Sequence, residues 1–153
     1  DWLREGNVWG TRFTGTIIEE SLEDTSLLQK IMMKDSTTSK DDDPEENHGF
    51  PVWHLHEVIF YRTELEMVTD FLKNNLKNGP WWVDLNSENG EEIYIVFKDK
   101  IFQGRPDDTR FRKNVNEYGG KQGLPESQMP FRDTKVVQGR TYKNMNSKPY
   151  RGK

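Results

Sequence analysis

The chain has 153 residues, the length of one domain, yet only 32% are hydrophobic and the mean hydropathy is −0.97, so the core must be small and much of the chain surface, loop or tail. Aromatic residues make up 12%, with five Trp, more than a fully disordered chain carries. There is no cysteine, which excludes disulfides, thiolate metal sites and cysteine nucleophiles, and no apolar run approaches the roughly 20 residues that span a bilayer.

The net charge of −4 conceals a division. Residues 1–100 hold 10 Lys+Arg against 21 Asp+Glu; residues 101–153 hold 12 against 5. The parts therefore carry −11 and +7, an asymmetry that points to an interaction tail.

In chain order, residues 1–14 (DWLREGNVWGTRFT) show no period and carry Trp2 and Trp9; they read as an N-terminal arm. GTIIEESL (15–22) has strand propensity at Thr16, Ile17 and Ile18. DTSLLQKIMMKD (24–35) reads as a helical turn opening at Asp24–Ser26 and a short strand at Ile31–Met33. STTSKDDDPEENHG (36–49) is polar and acidic, contains Pro44, and reads as a loop.

VWHLHEVIFY (52–61), rich in β-branched and aromatic residues, reads as a strand. TELEMVTDFLKNNLKNGP (63–80) reads as a helix, with Thr63 and Glu66 as a capping box and Leu65, Val68, Leu72 and Leu76 as a stripe widened by Phe71. Lys73 and Lys77 suit the negative end of its dipole, and Gly79-Pro80 stops it. Residues 81–103 alternate on either side of Asn89-Gly90, which predicts a hairpin; Lys98-Asp99 offers a second turn before Ile101 and Phe102. DDTRFRKNVNEYGGKQG (107–123) predicts a second helix capped within Asp107–Thr109, with Phe111, Val115 and Tyr118 on its face and Gly119-Gly120 at its end. LPESQMPF (124–131) reads as a turn returning Leu124, Met129 and Phe131 to the core.

The expected class is α+β. From residue 52 the order is β-α-β-β-α, giving a small, mainly antiparallel sheet of three strands, with two helices on one face and the N-terminal strand added at an edge. The organisation is an arm (1–14), a single α+β domain (15–131) with an acidic loop (36–49), and a basic extended tail (132–153).

GTIIEESLEDTSLL, WHLHEV, WWVDL, YIVFKDKIF and EYGGKQGLPESQMPF, in that order, resemble a family of small uncharacterised prokaryotic proteins. Its members run from a GIIIEESL-like start through a WTLHTVEI-like strand to WYADF, YIIFKDKVF and YGISLGIP segments. The resemblance spans about residues 15–131, with interruptions, and rests on the order of the segments. It implies an architecture and no catalytic residues, since the family has no established activity. This chain departs from it in its arm, acidic loop and basic tail, and in having His54 where the family pattern has Thr.

On a strand, His54 and His56 face the same way and are candidate metal ligands. A site needs a third and usually a fourth ligand, which would have to be His48 or carboxylates, and Glu57 points to the opposite face. The expectation is that no metal and no other cofactor binds, and that His56 is partly buried with a hydrogen-bond partner. Trp81-Trp82 puts one indole on each face of its strand; a base-stacking role is weighed against one ring in the core and the other covering a helix or a partner, and the packing reading is preferred. DDDPEEN (41–47) lacks the spacing of an EF-hand loop and reads as solvated.

The tail from Thr134 to Lys153 has no acidic residue. It interleaves Lys135, Arg140, Lys143, Lys148, Arg151 and Lys153 with Tyr142 and Tyr150. These residues, with Trp2 and Trp9, are the expected partner-binding set. The function expected is a non-catalytic structural or interaction subunit, docked by its terminal arms onto the protein subunits of a larger assembly. The alternatives are an RNA-binding, ribosome-associated accessory protein and, more weakly, a small metal-dependent hydrolase at His54 and His56.

Overall fold

The computed structural model describes residues 10–40, 50 and 52–131, omitting the side chains of Ser39 and Lys40. Six strands form one antiparallel sheet: β1 (Arg12–Ile18), β2 (Met32–Lys40), β3 (Val52–Tyr61), β4 (Val83–Ser87), β5 (Ile93–Phe97) and β6 (Lys100–Gly104). Their spatial order is β2-β3-β1-β4-β5-β6. Helix α1 (Arg62–Asn75) follows β3, and α2 (Thr109–Lys121) follows β6. This is the expected α+β class with a wider sheet.

β1 is central rather than an edge. It pairs with β3 on one side, Ile17 opposite His56, and with β4 on the other, Gly15 opposite Leu85. It begins at Arg12, so the last residues of the expected arm belong to the sheet. Gly15 is required there: a Cβ would meet the Asp84 carbonyl oxygen and the Leu85 side chain. β2 likewise takes in residues 36–40, expected in the acidic loop. The β-branched Thr37 and Thr38 favour a strand, and their exposure removes the alternation that would have shown it. β1 and β2 lie on either side of β3 and antiparallel to it, so residues 19–31 cross over β3.

Both faces of the sheet are apolar. Phe13, Ile17, Val58, Phe60, Val83, Leu85 and Val96 pack with Leu65, Val68 and Leu72 of α1, and with Leu76 just beyond it. Ile93, Ile95 and Phe97 pack with Phe111 and Val115 of α2. Since Val96 lies between Ile95 and Phe97, the helices take opposite faces, not one. The cause is visible in IYIVF, a continuous apolar run of the kind found in strands buried on both sides.

The predicted hairpins form, with Gly90 and Asp99 at positive φ in their turns. α1 starts one residue earlier than expected: the Glu64 carboxylate, rather than Glu66, accepts the Tyr61 N–H at 3.1 Å. α1 ends at Asn75 rather than at the expected Gly79-Pro80, which leaves Lys77 outside the helix, and its last carbonyls are well supplied. Those of Lys73, Asn74 and Asn75 accept from the Asp99 N–H, the Lys98 ammonium and the Glu23 N–H. α2 is capped by Asp108, whose carboxylate accepts from the amides of Arg110 and Phe111. It runs through Gly119-Gly120 to Lys121 and stops at Gly123, φ +94°, with the Leu124 N–H returning to the Gly119 carbonyl. Leu124, Met129 and Phe131 then fold back onto α2 as expected.

Candidate functional site

The register places His54 and His56 on the same face of β3, beneath the crossover. Just past the end of β1 a short 3-10 turn, Glu19–Ser21, presents successive carboxylates to them. Glu19 Oε1 lies 2.8 Å from His56 Nε2, and Glu20 Oε2 lies 2.6 Å from His54 Nδ1. Glu20 Oε1 also accepts the His54 backbone N–H at 2.8 Å. Ser36, opposite His56 in the β2–β3 register, puts its hydroxyl 2.8 Å from His56 Nδ1.

The two pairs differ in setting. In one, the His54 ring is about half exposed (49%) and Glu20 is mostly covered; in the other, His56 is mostly covered (15%) and Glu19 more open. The Glu20 hydrogen bond, then its negative charge, holds the His54 pKa above the ordinary imidazole value.

His56 is thus bonded at both ring nitrogens, which leaves it no lone pair for a metal. Among the described residues no three His, Cys, Asp or Glu side chains are grouped to hold an ion. Ser36, His56 and Glu19 have the order of nucleophile, base and orienting carboxylate. However, the Ser36 N–H, the nearest candidate to steady a developing oxyanion, donates to the Asp35 carboxylate at 2.9 Å. The geometry serves best as a clasp between the crossover and β3.

Comparison with known proteins identifies no relative. No family model, no curated protein and no solved structure matches the chain.

Trp81 packs beside Trp53 at 5.6 Å between ring centroids, and Trp82 lies on the opposite core, donating its indole N–H to the Gln128 carbonyl. Both are buried, which withdraws them from base stacking. His48, residues 41–47, Trp2, Trp9 and all eight candidates in the tail lie outside the described residues. Where the tail begins is well defined. The Asn116 amide side chain binds both backbone groups of Phe131, accepting its N–H at 3.2 Å and donating to its carbonyl at 2.5 Å. The buried Arg112 guanidinium lies over the Phe131 ring.

Sequence reasoning found the two histidines and missed Glu19, Glu20 and Ser36. The pairing of β1 with β3 brings Glu19 and Glu20 to the histidines, and the pairing of β2 with β3 brings Ser36. Glu19-Glu20, directly after the apolar Ile17-Ile18, is the signal that was available.

Proposed function

We propose that the chain is a non-catalytic interaction subunit, attached to other protein chains of a larger assembly chiefly through residues 134–153. The observation that carries this reading is the anchored root of a uniformly basic segment. Phe131 is pinned to α2 through both of its backbone groups, and a segment with six basic and no acidic residues follows shortly after. The charge of that segment attracts an acidic surface. No helix among the described residues is long and apolar enough to cross a membrane.

The test is amine-reactive cross-linking of the full chain in its native extract, read by mass spectrometry at Lys135, Lys143, Lys148 and Lys153. Cross-links to lysines of other proteins, reduced at high salt, are expected. Links confined to this chain's own body would refute the proposal. So would ultraviolet cross-linking of the tail to RNA in place of protein contacts.

A further inference from the structure

Besides its hydrophobic contacts, the crossover of residues 19–31 is held to β3 by two histidine–glutamate contacts of unlike chemistry. His56 has a hydrogen-bond partner at each ring nitrogen. With its proton on Nε2 it donates to Glu19, while Nδ1 accepts from the Ser36 hydroxyl. For His54 the observed ring partner is Glu20 at Nδ1. When that ring is neutral, either the hydrogen bond persists without ionic attraction or a bare nitrogen lone pair faces the carboxylate.

We propose that the crossover is a pH-responsive latch, with His54–Glu20 as its titrating element beside the Ser36–His56–Glu19 contact. Below the imidazole range His54 is charged and the latch is closed; as pH rises past it, residues 19–31 open more readily. The groups around the rings agree with this direction. The crossover supplies the carboxylates of Glu19 and Glu20, β1 supplies Ile17 opposite His56, and β2 supplies Ser36 and Thr38 opposite the two histidines. Asp35 pairs with Glu57 at the adjoining position, where Lys34 lies 4.0 Å from Glu57. The charges of Glu20 and then Glu19 both favour the imidazolium. Because the folded-state pKa of His54 is raised, its stabilisation is complete below the ordinary value of about 6.5 and is lost as pH climbs through the raised one.

The crossover also holds the end of α1. The Glu23 N–H donates to the Asn75 carbonyl at 2.7 Å, the Lys77 N–H donates to Ser21 at 2.8 Å, and Leu22 bridges to Leu76. Opening therefore frays the last turn of α1 and uncovers Leu22 and Leu27.

Amide exchange of the full chain between pH 5.5 and 8.5, corrected for the intrinsic rate, tests the latch. Protection of residues 19–31 is expected to fall a few-fold with rising pH, while the β4–β5 hairpin stays constant. His54→Gln should lower protection at pH 5.5 to the high-pH level and remove the slope; His56→Gln should lower it at every pH and keep the slope. A flat wild-type profile, or a slope that survives His54→Gln, overturns the proposal. As a second measurement, NMR titration of the His54 ring should show its pKa fall in Glu20→Gln. An unchanged pKa would mean that the contact is not made in solution, and the latch would fall with it.

Discussion

Replacing Leu72 with Ala removes about three methylene-sized groups from a side chain with no solvent exposure, on the helix that packs against β3, β5 and β6. At about 0.8 kcal/mol per buried group, the transfer loss alone is about 2.4 kcal/mol. The site is closed by Val68, Leu76 and Leu85, all fully buried, so it cannot collapse freely and a cavity cost is added. The total is expected at about 3–4 kcal/mol, within the range for buried leucines. Against a whole-domain stability of about 5–15 kcal/mol this is a large fraction, and the melting temperature should fall by about 10 °C. The assay is urea unfolding followed by tryptophan fluorescence, since Trp53, Trp81 and Trp82 are all buried and report on both cores. The midpoint should drop with the slope unchanged. Met67→Ala, on the same helix but 43% exposed, is the control and should cost less than about 0.5 kcal/mol. Equal losses in the two variants, or a Leu72→Asp chain that folds normally, would refute the account of α1.

Asp108→Ala removes the side chain that accepts two α2 amides, and should cost about 1 kcal/mol by the same urea assay, with Asp108→Asn recovering most of it. Gly15→Ala places a methyl group against the Asp84 carbonyl, so it should disrupt the β1–β4 pairing and lower the urea midpoint more than Gly90→Ser, which has open space and bears only the strain of its positive φ.

α1 could be read from the sequence because its apolar spacing and acidic start are local; its end could not, since the helix stops at Asn75, short of Gly79-Pro80, where Glu23, Lys98 and Asp99 meet its last turn. The β4–β5 hairpin was signalled by Asn89-Gly90 between alternating runs, and the β5–β6 turn by Lys98-Asp99. The face assignment of the helices went astray because IYIVF was read as one-sided alternation when both of its sides are apolar. In Ser36–Thr38 the β-branched threonines stood without alternation, because an edge exposed on both faces needs none. The His–Glu clasp was out of reach for a different reason. Glu20 and His54 meet only because β1 pairs with β3, and nothing in the residues next to either one encodes that pairing.

β1 is the first of the described strands to be synthesised, and both of its neighbours, β3 and β4, come later in the chain. A chain emerging from its N-terminus carries Phe13, Ile17 and Ile18 with two open edges until Val52–Tyr61 has been made. One edge stays open until Val83–Ser87 follows. The centre of the sheet therefore cannot close until Val83–Ser87 has been made, which makes for slow, non-local folding and an early apolar segment in need of protection. Gly15 and the flanking Thr14 and Thr16 keep that waiting segment from being an unbroken hydrophobic run.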